Sequence, residues 1–460
     1  MPENIVIVGA GPAGMSIAST LSAFGIRSTV IDESPKAGGV IYRGPWRATQ
    51  IMPHLDESLQ KNIALQQALV AEHQHNIALL TETRVLGPLA DSQLLLSRHD
   101  RLSAQDFDYL FLATGCQERS IPFPGWQLPG VMLAGGIQLQ LKSGLVRPGR
   151  QAVITGTGPL LVLLACQLLR SGVEVKGVYD ATSFSAMSTE VIALLNRPQM
   201  ALEGLSLLAY LRLHQVPVNY GWGIVKAKGS VSLERVAVAP YNSNWEADQQ
   251  KIQWIEADLL GVGYGFVSRS QLAQLMDLEV RMDEFSGLIP VTDAYQRSSR
   301  ANIFCAGDSA RFAGADVAIV EGQIAALALV AELYPDKAAD VAERLSELQK
   351  TLKRLYRFRG AFDRANQRKK GLLNLPDAET VICRCEQVKR SAIDKAIAEG
   401  CRDSVSLKMR TRVTMGDCQG KTCSHYCYDR LASEGFHREQ GQFRVRFPLD
   451  PIPFAAMENE

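Results

Sequence analysis

Residues 1–330 contain no two cysteines at Cys-x2-Cys or Cys-x4-Cys spacing, which excludes a local redox disulfide in that part of the chain. Long hydrophobic runs are also missing. The longest, Pro159 to Leu169, is too short to span a bilayer. Neither sign of charge prevails: 49 Lys and Arg stand against 48 Asp and Glu, a net charge of +1. That balance gives no electrostatic case for nucleic acid or for an acidic membrane surface. MPENIVIVGAG carries no basic region ahead of an apolar stretch, so a secretory signal is not expected. The expected location is the cytoplasm, with a peripheral membrane contact left open. Low-complexity tracts and short repeats are absent. No His–carboxylate pair or activated nucleophile stands out, which places substrate chemistry elsewhere.

What is present is long and ordinary in bulk. At 460 residues the chain exceeds what one hydrophobic core serves, and 46% apolar with 21% charged residues is a soluble composition. Asn4–Val8 reads as a strand, Gly14–Phe24 as a helix stopped at Gly25, and Ser28–Ile31 as a second strand. Between the first two lies Gly9-Ala10-Gly11-Pro12-Ala13-Gly14. Its glycines allow a tight turn, a close approach to a pyrophosphate and close helix–strand packing, with phosphate at the helix N-terminus. Asp32 falls where a carboxylate accepts from a ribose hydroxyl. Gly38-Gly39, Ala113-Thr114-Gly115 after the strand Tyr109–Leu112, and Ile303–Asp308 ending in Gly307-Asp308 add three further pieces. A generic nucleotide-free sheet rarely carries all four in order.

The strand–turn–helix pattern recurs at Gln151–Thr155, Leu160–Arg170 and Val173–Val178. Here Gly156-Thr157-Gly158-Pro159-Leu160-Leu161 has leucine where the third glycine belongs. That side chain is expected to push helix from strand and distort the cradle. Asp180 keeps an acid near the ribose position. The unit reads as a relic with room for some second nucleotide, Gly156 and Gly158 being its contacts, rather than as a nicotinamide site. Farther on, a helix is expected from about Gln323. Leu345, Leu348, Leu352 and Leu355 fall at helical spacing in a basic segment, read as a linker helix with one buried stripe.

Six of the nine cysteines crowd into the last fifth of the chain. Cys383 and Cys385 form a Cys-x-Cys pair, and Cys418 and Cys423 a Cys-x4-Cys pair. Four thiolates can hold a [2Fe–2S] cluster, with Gly416 and Gly420 leaving peptide N–H groups free to face sulfur. Arg384, Lys408, Arg410, Arg412 and Lys421 place positive charge around it. Zinc knuckles use Cys-x2-4-Cys pairs, a poorer match. Cys427 and His425 are alternative ligands, more simply a helix-face cysteine and a surface histidine. Cys401 reads as core.

These segments carry a resemblance. The glycine turns, the Gly-Asp strand end and the glycine pairs resemble the two-dinucleotide-domain flavoproteins that include glutathione and thioredoxin reductases. The cysteine pattern resembles bacterioferritin-associated-ferredoxin-like [2Fe–2S] domains. Their fusion resembles the FAD subunit of the opine oxidase, hydroxyproline dehydrogenase and hydrogen cyanide synthase family, the cyanide-forming members most. The match runs nearly end to end, through GGVIYRGPWR around 39–47, ATGCQERSIPFPGWQLPGVMLAGG (113–136), TGTGPLLVLLACQLLRSG (155–172) and GYGFVSRSQL (263–272). It continues in VICRCEQV (381–388), LKMRTRVTMGDCQGKTC (407–423) and RFPLDPIPF (446–454).

The resemblance implies an α/β fold: an FAD domain (1–118 and 288–332), a second dinucleotide domain (119–287), a helical linker (333–376), a small helical [2Fe–2S] domain (377–435) and a tail (436–460). It implies FAD held by Gly9, Gly11, Pro12, Ala13, Gly14, Asp32, Glu33, Gly39, Arg43, Val85, Thr114, Gly115, Gly307 and Asp308, the last toward the ribityl chain. Iron would be held by Cys383, Cys385, Cys418 and Cys423. A separate glycine- or sarcosine-oxidase-like FAD subunit would oxidise an amine or amino acid, alongside a small ferredoxin-like subunit. Electrons would pass to a respiratory acceptor. For the cyanide-forming members the overall reaction is glycine to cyanide and carbon dioxide. A self-contained NAD(P)H-dependent reductase, drawing on Gly156, Gly158 and Asp180, and a zinc-bound assembly domain at the C-terminus stay open as alternatives.

Overall fold

A computed structural model of the chain describes residues 4–45, 54–189, 198–436 and 443–457. Trp46 and Arg47 of the GGVIYRGPWR segment, and parts of the tail, lie outside the described residues. The chain opens with β1 (Ile5–Val8), α1 (Pro12–Ala23), β2 (Ser28–Ile31), β3 (Ile77–Leu80), β4 (Tyr109–Leu112) and β5 (Cys116–Glu118). A second series follows: β6 (Val131–Leu133), α2 (Ala134–Leu139), β7 (Gln151–Gly156), α3 (Leu160–Arg170), β8 (Glu174–Asp180), β9 (Val218–Tyr220) and β10 (Leu259–Gly263). The chain returns through β11 (Phe266–Ser268), β12 (Ile303–Cys305) and two long helices, α4 (Ala315–Leu333) and α5 (Ala338–Ala365). A ribbon of β13 (Val381–Cys383) and β14 (Val388–Lys389) with helices α6 (Arg390–Ala398), α7 (Ser404–Thr411) and α8 (Ser424–Ser433) makes the C-terminal unit.

Two parallel sheets organise the molecule, an α/β fold with two Rossmann-type units. The first has the order β12-β4-β1-β2-β3 and the second β9-β8-β7-β10-β6. Central strands covered on both faces read as continuous apolar runs, as IVIV in β1 does, all four residues buried. In each sheet the chain runs outward from β1 or β7 and then crosses to its other side. The glycine turn after each of those strands therefore sits at a switch point, where a ligand crevice opens.

Two packing details differ from what the pattern suggested. α4 begins at Ala315 rather than near Gln323, opened by Gly314. Within it, a Cβ on Gly322 would lie 2.5 Å from the Ala13 carbonyl oxygen, so the glycine lets α4 press on α1. Leu161 does not force α3 away. It is fully buried, and β10 carries Gly263, where a Cβ would come 3.3 Å from the Leu161 side chain. The strand gives up the space that the third glycine would have left. The linker stripe lies as its spacing predicts, with Val341, Leu345 and Leu355 buried in α5 and Leu348 and Leu352 packed against the first core. Among the described residues no single helix is long and apolar enough to cross a membrane.

Candidate flavin and thiol sites

The first glycine turn opens onto a cleft of about 380 Å³. Of the expected residues, Gly9, Gly11, Pro12, Ala13, Asp32, Glu33, Gly39, Val85, Thr114, Gly115 and Asp308 line it. Gly14 and Gly307 lie behind it as packing positions. A Cβ on Gly14 would be 1.8 Å from the Gly9 carbonyl oxygen, and one on Gly307 would be 2.7 Å from the Ala13 Cβ. Gly39, in the left-handed region at φ +59°, passes so close to the turn that a Cβ would be 2.8 Å from the Gly11 Cα. Asp32 accepts from the Ala10 and Ser34 N–H groups, both at 2.7 Å. Arg43, also expected at the flavin, is buried and does not line the cleft; it donates to Ser34 Oγ, and among the described residues its Nε has no partner. The cleft with its bare glycine floor fits a dinucleotide such as FAD.

Several cleft residues escaped the sequence reading. Arg269 closes one side, pairing with Glu33 at 2.9 Å while its carbonyl accepts from Thr114 Oγ1 at 2.6 Å. Leu449 and Asp450 of the tail reach the cleft, the Leu449 N–H bonded to the Leu86 carbonyl at 2.8 Å. Lys421 reaches it from the cysteine domain. Arg269, Lys421, Leu449 and Asp450 all stand in segments that carry the family resemblance, which was the available signal.

Asp308 is fixed at the start of α4, where Oδ1 accepts from Ala313 and Gly314 N–H, both 2.9 Å. Cys116 donates to its Oδ2 at 3.4 Å. Burial, then the Asp308 charge, pushes the Cys116 thiol well above its ordinary range, so it stays a protonated donor. Beneath, Glu321 accepts from the Gly307 N–H at 2.8 Å and the Tyr356 hydroxyl at 2.6 Å. Burial outweighs those bonds and pushes its carboxyl up to about 7. Glu118, on β5, accepts from Gly135 and Gly136 N–H at 2.8 and 3.2 Å, and burial pushes it too up to about 7.

Gly156 and Gly158 belong to the other turn, outside this cleft. Asp180 accepts from the Thr182 N–H at 2.8 Å and the Gly158 N–H at 3.3 Å. Burial still raises its carboxyl to about 6.

In the C-terminal unit the four expected thiols meet as two pairs, Cys383 with Cys423 and Cys385 with Cys418. The Cys423 thiol bond, then N–H groups of Glu386, Thr414 and Cys385, pull the Cys383 thiol down to about 6 against its burial. Gly416 lies against Cys385, where a Cβ would be 2.2 Å from the cysteine's own. Among the described residues the buried Thr414 hydroxyl has no partner. Cys427 lies on α8, on the helix face that is fully buried beside Cys383 and Cys423. His425 is not the surface histidine expected: it packs toward Arg119, Asp429 and Arg368, and burial holds its imidazole down at about 3. Among the described residues no three His, Cys, Asp or Glu side chains gather to hold a metal ion. The basic surroundings are weaker than the sequence suggested. Arg412 pairs with Glu386, Arg410 with Glu399 and Lys421 with Asp450, which neutralises much of that charge.

The two sites adjoin. β5 carries Cys116 into the cleft and Gln117, whose Nε2 donates to the Lys421 carbonyl at 2.8 Å. Arg119 then pairs with Asp429 of α8, and Trp126 Nε1 donates to the Val381 carbonyl at 2.7 Å. Lys421 stands between Cys418 and Cys423, so the Cys423 Cα lies within about 7 Å of the Cα of a cleft residue.

Residues 3–322 match the pyridine nucleotide-disulphide oxidoreductase family. The hydrogen cyanide synthase subunit HcnB of Pseudomonas protegens is 45% identical across 99% of this chain and 97% of its own length. An opine oxidase subunit from Agrobacterium tumefaciens is 32% identical across 99% of this chain and 91% of its own length. The crystal structure of L-proline dehydrogenase from P. horikoshii superposes with a TM-score of 0.71 at 18% identity, covering 99% of this chain and 79% of that one, a likeness of fold. The chain belongs to the pyridine nucleotide-disulphide oxidoreductase family, within the group that holds hydrogen cyanide synthase subunit HcnB and its opine oxidase counterpart.

Proposed function

We propose that this chain is the electron-transferring subunit, carrying FAD and a [2Fe–2S] cluster, of a hetero-oligomeric amine or amino-acid dehydrogenase of the hydrogen cyanide synthase type. Glycine is the favoured substrate, oxidised on a separate glycine- or sarcosine-oxidase-like FAD subunit with a small ferredoxin-like subunit in attendance. Conversion of glycine to HCN and CO2 releases four electrons and four protons by balance of atoms, so the complex needs a collector between substrate and acceptor. The favoured setting is the cytoplasm, with electrons delivered to a respiratory acceptor at the membrane.

One observation carries the reading: Lys421 lies on the loop between two of the four cysteines and lines the flavin cleft. When bound, FAD supplies acceptance of an electron pair and release of single electrons, and a [2Fe–2S] cluster supplies a one-electron outlet. Two thiol pairs suit a core that takes two cysteines on each of two irons, whereas a mononuclear site would need three or four ligands around one point. N–H groups of Glu386, Thr414 and Cys385 already face the Cys383 sulfur and favour its thiolate. On the flavin side, backbone N–H groups hold the Asp32 and Asp308 carboxylates in place, and Arg269 with Leu449 and Asp450 of the tail forms part of the cleft wall.

Co-expression with an oxidase-like FAD subunit, followed by anaerobic screening of glycine, opines and hydroxyproline with an artificial acceptor, tests the assignment. Cyanide formed from glycine is expected. Turnover of opines or hydroxyproline without glycine would move the chain to the sister activities. Stoichiometric flavin bleaching by NADH alone would replace the reading with a self-contained reductase.

A further inference from the structure

We propose that Asn366, with Phe362 beside it, fills the phosphate seat of the second dinucleotide fold, so that the chain's own linker helix excludes a nicotinamide or adenine nucleotide from it. This deepens the electron-collecting role proposed above and rests on that role only for the identity of the donor.

The seat is the turn Gly156-Thr157-Gly158, between β7 and the N-terminus of α3. There a bound dinucleotide would lay its pyrophosphate against backbone N–H groups. Asn366 caps the C-terminus of α5. Its Oδ1 accepts from Thr157 Oγ1 at 2.9 Å and from Thr182 Oγ1 at 3.4 Å, while its Nδ2 donates to the Phe362 carbonyl at 2.9 Å. A Cβ placed on Gly158 would lie 3.6 Å from Asn366 Oδ1 and 3.7 Å from Phe362 Cζ. The room above Gly158 is thus that of about one methyl group, too little for a phosphate. The substitution is chemically apt. An amide oxygen and the partly negative end of α5 stand at a turn whose glycines and helix start otherwise favour an anion.

The ribose side is closed as well. Asp180 is 6% exposed and spends its oxygens on the Gly158 and Thr182 N–H groups within the fold. In the first fold the equivalent Asp32 also binds its own turn, but it lines an open cleft, and no linker residue is among the cleft's walls. The plug is anchored from its far end, since the α5 leucine stripe is packed into the first core. A nucleotide entering the second turn must displace Asn366 against that anchorage.

The test is calorimetric titration of the FAD-loaded full chain with ADP, a ligand that cannot reduce it. Wild type is expected to show no binding up to about 1 mM, and Phe362→Ala/Asn366→Ala to bind ADP at least tenfold more tightly. Asn366→Asp, which keeps the acceptor, should behave as wild type. Should the double variant fail to fold, Asn366→Gly takes its place with the same expectation. Micromolar ADP binding by wild type would overturn the proposal. So would an opened variant that binds no better than wild type. ADP binding without NADH bleaching would sink the plug alone, whereas NADH bleaching would also remove the electron-collecting role.

Discussion

Replacing Gly14 by alanine puts a Cβ 1.8 Å from the Gly9 carbonyl oxygen, an overlap of more than an ångström with backbone that no rotamer can relieve. α1 must then slide along β1 and carry the phosphate seat with it. Overpacking of this kind costs about 1–3 kcal/mol. Regaining the FAD-bound geometry carries that cost, so FAD affinity drops about 5- to 150-fold at 1.4 kcal/mol per decade. Only the strain that the relaxed apoprotein retains lowers its own stability, so the urea midpoint should fall by less than this amount. Gly11→Ala is the informative contrast. Among the described residues its Cβ would meet only the Gly39 Cα at 3.7 Å, an ordinary contact, so the apoprotein should unfold at the wild-type urea midpoint. Yet Gly11 lines the cleft and should lose FAD at least as severely. Flavin fluorescence quenching gives the affinity and urea unfolding of the apoproteins the stability. The reasoning is refuted if Gly14→Ala binds FAD as wild type does, or if Gly11→Ala destabilises the apoprotein and still binds FAD normally.

Three further outcomes are expected. Glu321 has its carboxyl near 7 in the fold against 4.5 as its ordinary value, so the folded chain holds the extra proton between those values. Its contribution is full below about pH 4.5 and is lost as pH rises through 7, a swing of about 3 kcal/mol. The wild-type-minus-Glu321→Gln difference in urea stability should follow that swing, and a flat difference would count against it. Cys423→Ser and Cys383→Ser should abolish bound iron, while Cys401→Ser, whose thiol belongs to the apolar core of that unit, should retain it by elemental analysis. Lys421 ties the tail to the cleft through Asp450 and, at 3.2 Å, the Leu449 carbonyl. Lys421→Met should speed FAD release roughly 5- to 30-fold, an effect of about 1–2 kcal/mol, measured by stopped-flow flavin fluorescence.

How much could be read beforehand followed from the range of the interactions. The turn around Gly9, Gly11 and Gly14 is local, so strand, turn and helix state it in one stretch of sequence. The leucine stripe of α5 is local too. Arg269 beside Glu33 and Lys421 beside Asp450 are not, because ion pairs between distant segments leave no periodicity to read. The same blindness made the basic residues near the cysteines look free, when Glu386 and Glu399 pair with two of them. Leu161 was expected to distort the second turn because the compensating residue, Gly263, lies on a strand about a hundred positions later. Gly322 shows the converse, a glycine in midhelix that exists for contact with Ala13. Asn366 follows a helix and looks like any polar cap until the fold sets it on Thr157.

Photoreduction of the anaerobic full chain with electron paramagnetic resonance detection addresses the flavin-to-thiol path most directly. With FAD bound and iron present, electrons entering at the flavin should appear as a reduced [2Fe–2S] signal, and Cys423→Ser should leave them on the flavin. A wild-type chain that reduces its flavin fully, contains no iron and develops no such signal would contradict the account.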